Sequence, residues 1–304
     1  MISIVQLGTV DYATGLRLQQ QLVSLRKENK IGDVLLLLEH KPVITLGRNA
    51  KAANVIASPE LLAQRGVELF ECDRGGDVTF HGAGQIVGYP IFDLRGYAIN
   101  LSFRAEENDS RSEEFSGVEE PCVQPRKHFG AVDFVRRLEE VLIRSCADFS
   151  IPTKRIPGLT GVWTDPEALE KKLDLSFRAQ ARNPLSAGTA TNAEAKLAAI
   201  GIHISRFVTS HGFALNVNPD LSYFNLIIPC GITSKPVTSM QEELGRPLRL
   251  NAVAESISRN FGVVFQSQIL WVETLDALLG NTVGVPMKPP SELRQLHEED
   301  IHHA

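Results

Sequence analysis

The chain has 304 residues, of which 43% are hydrophobic, enough for a large core and for one or two domains. Its net charge is −5 and the sequence shows no basic stripe, so we expect no nucleic-acid partner. The first residues carry no charged and apolar leader, and no run of about 18 apolar residues follows, so we expect no signal peptide and no membrane span.

Hydrophobic periodicity divides the first hundred residues into strands and helices. Leucines at helical spacing predict a helix over 12–28. A short helix is predicted over 59–66, with Ser58 as its N-cap and Pro59 in its first turn. Apolar runs predict strands over 2–7, 33–39, 42–48 and 85–94.

The glycine-rich segment 74–84 is the most informative part of the chain. The glycines that surround its single histidine, His81, are Gly75, Gly76, Gly82 and Gly84. Glycines weaken a strand and usually mark bulges or places where the backbone approaches a ligand closely. Together with the apolar strand that follows, the segment predicts the wall of a binding cleft that carries a titratable side chain.

Two stretches lack periodicity and are predicted to be insertions. Residues 104–128 are polar and acidic, and residues 164–193 hold a short charged helix followed by a loop. The proline-rich, polar end of the chain predicts a peripheral tail. We therefore expect one catalytic domain over 1–278 and a tail over 279–304.

The remaining sequence mixes helices with strands. A helix is predicted over 131–149, a hairpin over 196–204 and 207–217, and a second helix over 251–261. Strict alternation of strand and helix is missing, so the predicted fold class is α/β of the α+β type, with a mixed sheet.

Cys230 is the cysteine best placed for chemistry. The four cysteines, Cys72, Cys122, Cys146 and Cys230, are far apart and form no CxxC pair, which indicates a reducing cytoplasm and free thiols. Cys146 falls on the apolar face of its helix and is predicted to be a core thiol. Cys230 follows an apolar run and a proline and precedes a glycine, so it would lie at an accessible strand-to-loop edge. The alternative is a buried structural thiol.

A cysteine needs a partner at neutral pH, because its free pKa is about 8.5 and the thiolate is the nucleophile. Lys196 is one candidate, since it opens an apolar stretch in which a charged head is unusual. Semi-buried lysines exchange their proton readily, although a lysine extending from a strand end would look the same. The histidines His81, His203 and His211 are the other candidates.

Other catalytic templates are missing from the sequence. It contains no GxxxxGK[ST] phosphate loop, no GxSxG elbow and no HExxH or Cys/His zinc spacing. Gly82-Ala-Gly84 lacks the third glycine and the helix of a dinucleotide site. We therefore expect no cofactor and no metal.

Five blocks of the sequence, in this order, resemble the lipoyl(octanoyl) transferase family. They are RGGDVTFHGAGQIVGYP at 74–90, PGLTGVW at 157–163, KLAAIG at 196–201, SHGFALNV at 210–217 and PCGI at 229–232, and Thr238-Ser239 closes the set. The resemblance covers roughly residues 1–265 apart from the two insertions. It implies the fold of the biotin/lipoate protein ligase catalytic domain, a mixed sheet flanked by helices.

The same resemblance implies roles for individual residues. It makes Cys230 the acyl-accepting thiol and Lys196 its activating partner, with His211 in a supporting position. The residues it places along the octanoyl site are Arg74, Gly75, Gly76, Asp77, Val78, Thr79, Phe80, His81, Ala199, Ile200, Gly201, Gly212, Phe213 and Ala214. Backbone N–H groups of the Gly75-Gly76 turn and of the Cys230-Gly231 loop are expected to face the oxyanion.

The implied reaction is transfer of an octanoyl group from octanoyl-acyl carrier protein to a lysine of apo lipoyl domains and of glycine cleavage H protein. It would pass through a thioester on Cys230, in a cytoplasmic monomer without a cofactor. Two alternatives remain at this point. One is an ATP-dependent lipoate or biotin ligase of the same fold, and the other is a module that binds the acyl group without reacting.

Overall fold

The computed structural model describes residues 1–97, 129–169 and 193–282. The predicted insertion at 104–128, most of the one at 164–193, and residues 283–304 of the predicted tail lie outside these ranges. Residues 279–282 were predicted to belong to the tail, but they continue a helix that runs from Leu275 to Thr282.

The main sheet of the described region has eight strands in the order β11-β1-β2-β6-β10-β9-β8-β7. Their bounds are β1 Ile2–Val10, β2 Asp33–His40, β6 Gln85–Ile91, β7 Thr153–Ile156, β8 Leu159–Thr164, β9 Lys196–Ser205, β10 Val208–Asn216 and β11 Ile269–Val272. Strand β1 pairs in parallel with β2 and β11, and every pairing from β2 to β7 is antiparallel. The predicted mixed sheet is therefore confirmed.

A second, three-stranded sheet stands beside the main one. It has the order β4-β3-β5, with β3 at Val43–Leu46, β4 at Glu68–Glu71 and β5 at Val78–His81. Because β5 leads directly into β6, the glycine-rich segment connects the two sheets and lies at the junction between them.

Helices cover both faces of the main sheet. Their bounds are α1 Tyr12–Lys27, α2 Pro59–Gln64, α3 Ala131–Asp148, α4 Met240–Leu244, α5 Leu250–Val264 and α6 Leu275–Thr282. The face with α3 and α5 holds the larger core, including Phe134 and Phe261, and the face with α1 and α6 holds a second core around Leu22 and Leu278. Each fully buried side chain of this size contributes about 1.5–3 kcal/mol relative to exposure.

The predicted elements of the first half agree with the structure. Helix α1 ends within one residue of its prediction, and Ser58 caps α2 by accepting a hydrogen bond from the Leu61 N–H at 3.3 Å. The hairpin of β9 and β10 and the helix α5 are also where periodicity places them. The sequence did not predict strands β4, β5, β7, β8 and β11 or helices α4 and α6, each of which has eight residues or fewer. None of the helices in the described ranges is long and apolar enough to cross a membrane.

Candidate active site

Lys196 and Cys230, which are 34 residues apart in the chain, meet where β9, an interior strand of the main sheet, begins. The Lys196 Nζ donates a hydrogen bond to the Cys230 Sγ at 3.2 Å. Lys196 is the first residue of β9 and is 8% exposed, whereas the Cys230 thiol is half-buried and reachable from a cavity. The lysine head group is therefore within hydrogen-bond distance of the sulfur that would act as the nucleophile.

A strained turn presents the Cys230 thiol. The turn is a single 3₁₀ turn over Pro229–Gly231, and the N–H of the preceding Ile228 donates to the Asn54 carbonyl at 2.7 Å. Cys230 itself has φ 55° and ψ 18°, a left-handed conformation that non-glycine residues rarely adopt. Such conformations cost about 1–3 kcal/mol and persist where the surroundings impose them, often at functional sites.

The Asp77 carboxylate packs against this turn. It accepts hydrogen bonds from the Asn54 Nδ2 at 2.6 Å and from the Val78 N–H at 2.8 Å. A Cβ at Gly231 would lie 2.8 Å from the Asp77 Oδ2. Glycine at 231 is therefore required both by its φ of +67° and by the carboxylate packed against it.

Neighbouring residues fix the Lys196 side chain and backbone. Its N–H donates to the Pro236 carbonyl at 2.8 Å, and its carbonyl accepts from the Thr238 N–H at 3.0 Å. The Nζ lies 4.9 Å from the centroid of the buried Trp163 ring, within the range of a cation–π contact. A Cβ at Gly161 would come within 3.0 Å of the Lys196 Cε, so this glycine leaves the space that the lysine side chain occupies.

A cavity of about 360 Å³ opens beside this pair. It runs along β9 and β10 toward α1, with the glycine-rich segment as its opposite wall. The predicted site residues that line it are Arg74, Gly76, Asp77, Thr79, His81, Lys196, Ala199, Ile200, Gly201, His211, Gly212, Phe213, Ala214 and Cys230. These residues come from blocks far apart in sequence, and the fold brings them to one place.

Gly75, Val78 and Phe80 were expected in the octanoyl site, and they are not among the residues that line the cavity. Side chains alternate between the two faces of a strand, so Val78 and Phe80 of β5 point into the core of the small sheet while Thr79 and His81 face the cavity. Gly75 packs against Gly201 instead, and its N–H donates to the Ile202 carbonyl at 2.9 Å.

Arg74 organises the glycine-rich turn. It is 8% exposed, and its guanidinium donates to the carbonyl oxygens of Thr45 and Asp77, both at 2.7 Å, and of Gly75 at 3.1 Å. These bonds hold the turn in place, and they occupy the arginine donors that could otherwise have bound a charged substrate group.

Two of the N–H groups expected to face an oxyanion already donate hydrogen bonds to carbonyl oxygens of the protein. The Gly75 N–H bonds the Ile202 carbonyl, and the Gly231 N–H bonds the Ile228 carbonyl at 3.1 Å. Gly76 lines the cavity with φ +92°, and within the described ranges its N–H has no acceptor. Of the expected donors in the Gly75-Gly76 turn, the structure thus leaves Gly76.

His81 and His211 are both buried in the cavity wall and differ in their partners. The His81 Nδ1–H donates to the Gln85 Oε1 at 2.7 Å, and burial together with the nearby His40 lowers the pKa of His81 to about 3. The His211 Nε2–H donates to the Asp73 Oδ1 at 2.7 Å, and burial lowers its pKa although Asp73 opposes the shift. Both imidazoles are therefore neutral at pH 7 and bond Gln85 and Asp73, whereas the Lys196 Nζ bonds the thiol.

His203 is not part of the cavity wall. Its Nδ1 accepts a hydrogen bond from the Arg48 Nη2 at 2.9 Å, and its Nε2 lies 3.5 Å from the Asp73 Oδ2. Sequence reasoning missed several residues that do line the cavity, among them Tyr12, Asn49 and Leu159. Tyr12 begins α1, and nothing in its helical spacing distinguishes it from a core residue. Tyr89 lines the cavity, and Trp163 lies behind Lys196.

Within the described ranges, no group of three or more His, Cys, Asp or Glu side chains has the geometry to hold a metal ion.

Comparisons with known proteins point to one family. The model of the lipoyl protein ligase A/B catalytic domain matches residues 11–109 and 120–262. The chain is 52% identical to an octanoyltransferase of Koribacter versatilis over 99% of both chains, and 47% identical to one of Acidobacterium capsulatum over 92% of this chain and 96% of the relative.

Solved structures share the fold at low sequence identity. A putative lipoate protein ligase from T. acidophilum aligns with a TM-score of 0.56 and 11% identity, over 98% of this chain and 95% of the other. A lipoate-protein ligase A bound with ATP aligns with a TM-score of 0.57 and 11% identity, over 100% of this chain and 95% of the other. At this identity the two structures support the fold alone, and they confirm the ligase-like fold class.

Proposed function

The chain belongs to the lipoyl protein ligase A/B catalytic-domain family and, within it, to the octanoyltransferases, and from this premise we propose that Cys230 carries the octanoyl group between donor and acceptor. The observation that supports the proposal is the 3.2 Å contact between the Lys196 Nζ and the Cys230 Sγ at the edge of the cavity. The octanoyl chain would lie in the cavity along β9 and β10. The donor is octanoyl-acyl carrier protein, and the acceptors are apo lipoyl domains and H protein.

The first step forms a thioester on the enzyme. The Cys230 thiolate attacks the carbonyl carbon of the donor thioester, and a new carbon–sulfur bond forms as the carbonyl becomes an oxyanion. The N–H of Gly76, which lines the cavity, would donate a hydrogen bond to that oxyanion. When the intermediate collapses, the carrier protein's thiolate leaves and takes a proton from the Lys196 ammonium.

The second step forms the amide. Lys196, now neutral, accepts a proton from the acceptor lysine, whose nitrogen attacks the Cys230 thioester. The Cys230 thiolate is released and the Lys196 ammonium is restored beside it. An amide formed from a thioester is the more stable product, so the reaction needs no ATP, which is consistent with the absence of a phosphate loop from the sequence.

Intact-protein mass spectrometry tests the proposal directly. The enzyme is mixed with octanoyl-acyl carrier protein, and an apo lipoyl domain is then added. We expect an octanoyl adduct on Cys230 that disappears as the lipoyl domain gains the same mass. Cys230→Ser should form no thioester, and Lys196→Met should form it about 10²–10⁴-fold more slowly, the usual contribution of a positioned proton donor and acceptor.

Lys235→Met is the matched control, since Lys235 lies 5.9 Å from the same Trp163 ring. It should acylate at the wild-type rate, because the structure pairs Lys235 with Glu194. Labelling of the lipoyl domain only with octanoate and ATP, and without an enzyme adduct, would replace the transferase route with a ligase route. Binding of the octanoyl donor with every thiol left free would indicate a non-reacting module.

A further inference from the structure

A buried carboxylate that the proposed reaction does not use lies between α3 and the β7–β8 hairpin. It belongs to Glu139 of α3, whose side chain is 0% exposed. Glutamate is almost never fully buried unless it is paired. The partners of Glu139 therefore indicate what this side chain does, and they include a residue on each strand of the hairpin.

Two arginines pair with one oxygen of the Glu139 carboxylate. The Arg136 Nη1, which comes one turn earlier on α3, donates a hydrogen bond to the Glu139 Oε2 at 2.8 Å. The Arg155 Nε of β7 lies 3.3 Å from the same oxygen. These cations offset the cost of removing the carboxylate from water, because a buried charge is tolerated only when it is well paired.

The other oxygen of Glu139 bonds the backbone of β8. The Gly161 N–H donates to the Glu139 Oε1 at 3.0 Å, in buried surroundings. Gly161 lies directly before Val162 and Trp163, between which the register of β8 against β9 shifts by one residue. Such an irregularity disrupts the ladder locally, and a buried N–H without an acceptor is costly. Glu139 supplies this acceptor from the helix that covers the sheet.

The stretch of β8 that Glu139 holds is in contact with the Lys196 side chain. A Cβ at Gly161 would lie 3.0 Å from the Lys196 Cε, so the glycine backbone packs against the stem of the lysine. Two residues later, the Trp163 ring lies 4.9 Å from the Lys196 Nζ. The same Nζ donates to the Cys230 Sγ at 3.2 Å. A short segment of β8 thus supports the lysine side chain that reaches the thiol.

We propose that Glu139 is a positioning residue, which holds β8 against the Lys196 side chain through the Gly161 N–H and so keeps the Lys196 Nζ beside the Cys230 Sγ. The inference rests on the proposed function, since it takes Lys196 as the group that moves protons during acyl transfer. Without the carboxylate, the Gly161 N–H would be buried with no acceptor, and β8 would shift toward another one. The Lys196 side chain would then lose the support that keeps it at the thiol.

The test measures kcat and KM for octanoyl transfer from octanoyl-acyl carrier protein to an apo lipoyl domain, by mass spectrometry with the full chain. Glu139→Met removes the acceptor at similar volume. Glu139→Gln loses the charge but keeps an oxygen that can accept from the Gly161 N–H, whereas Glu139→Asp keeps the charge and is one methylene too short.

Glu140→Met is the matched control. The neighbouring Glu140 carboxylate accepts hydrogen bonds from the Arg155 Nη2 and the Arg144 Nε, both at 2.7 Å. Its removal therefore disturbs the same Arg155 side chain while the bond from the Gly161 N–H to Glu139 stays in place.

We expect Glu139→Met to lower kcat about 10- to 100-fold, because misplacing a catalytic group by about 1 Å can cost about 10²-fold. KM should stay within about twofold, since the loss falls on the chemical step. Glu139→Gln should recover most of the rate, Glu139→Asp should stay slow, and Glu140→Met should keep the wild-type rate. In the Lys196→Met enzyme, Glu139→Met should cause little further loss, because the group that it positions is already gone.

A folded Glu139→Met enzyme with the wild-type kcat would overturn the proposal, as would an equal loss in Glu140→Met. The same factor of loss in the Lys196→Met enzyme would mean that Glu139 only stabilises the fold. A Glu139→Gln enzyme slower than Glu139→Asp would also overturn it, since the charge would then matter more than the bond to Gly161. If circular dichroism shows Glu139→Met to be unfolded, a wild-type kcat in Glu139→Asp counts against the proposal. Failure of the wild type to form an octanoyl adduct would instead refute the proposed function.

Discussion

The chain holds two thiols in opposite surroundings. Cys146 lies on the inner face of α3 with 0% exposure, and burial raises the pKa of its thiol to about 12. Cys230 lies on a strained turn at the edge of a cavity, with the Lys196 ammonium 3.2 Å from its sulfur. The residue type is the same, but the surroundings differ: burial among apolar side chains keeps the Cys146 thiol neutral, whereas the Cys230 sulfur accepts a hydrogen bond from the Lys196 Nζ.

Alkylation of the native enzyme with iodoacetamide should show the largest difference between Cys230 and Cys146. Cys230 should react from the folded state, whereas Cys146 can react only when α3 opens. For a domain of ordinary stability the open state is populated about 10³- to 10⁸-fold less than the native state, so the two rates should differ by at least about 10³-fold.

Peptide mapping assigns the label to each cysteine, and denaturant supplies the control, because both thiols should then react at similar rates. Comparable labelling of Cys146 and Cys230 in the native protein would show that burial in α3 does not protect the thiol. Slow labelling of Cys230 in the native protein would instead mean that the turn at 229–231 is closed to small reagents.

Burial raises the pKa of a thiol but lowers the pKa of a histidine. Two histidines beside the acyl cavity show the second effect. Burial lowers the pKa of His40 to about 4 and that of His81 to about 3. The neutral His40 ring donates from Nδ1 to the Val10 carbonyl at 2.8 Å and accepts from the Tyr89 hydroxyl at 2.6 Å. Protonation would break the second bond and place a charge in the core.

The free energy of unfolding should therefore fall as the pH falls. The unfolded chain binds protons at these histidines below about pH 6.5, and the native state does not bind them until about pH 4 or 3. Between these limits each histidine should lower stability by up to about 1.4 kcal/mol per pH unit. Urea unfolding at several pH values measures the slope, which should be smaller in His40→Gln. An equal slope in that variant would exclude His40 as a source.

The sequence was sufficient to predict elements with strong periodicity. The leucines of α1, the cap at Ser58 and the apolar face of α3 lie within single segments, so local spacing specifies them. Strands β7 and β8 are short and polar in part, and they exist because β9 offers an edge to pair with, which no local pattern reports.

The candidate site likewise combines residues that the sequence predicts with contacts that only the folded chain shows. The glycine-rich wall and the two reactive residues could be predicted from blocks that resemble a known family, although their contact could not. Three of the expected residues do not line the cavity. Val78 and Phe80 point into the core of the small sheet because side chains alternate along β5, and the Gly75 N–H bonds the Ile202 carbonyl at the junction of the two sheets. The position of His211 in the cavity wall depends on a positive φ and on Asp73, which are properties of the folded chain.

Substitution of Trp163 should have the smallest effect among these predictions. It tests how the Lys196 side chain is held beside Cys230. The Trp163 ring lies 4.9 Å from the Lys196 Nζ, and a cation–π contact of this kind contributes about 0.5–2 kcal/mol. We propose that Trp163 is a positioning residue that holds the ammonium toward the thiol. Trp163→Leu should slow acylation of Cys230 about 2- to 30-fold, with the loss in kcat rather than in KM. Trp163→Phe, which keeps an aromatic face, should recover most of the rate.

A double-mutant cycle distinguishes positioning from simple loss of packing. If Trp163 acts through Lys196, then Trp163→Leu should slow the Lys196→Met enzyme much less than it slows the wild type, because the cation is already gone. A purely structural tryptophan would slow both enzymes by the same factor, and Leu and Phe at position 163 would then be equally slow. That result would mean that the Lys196 Nζ is held 3.2 Å from the Cys230 Sγ by the backbone hydrogen bonds of Lys196 with Pro236 and Thr238, and not by Trp163.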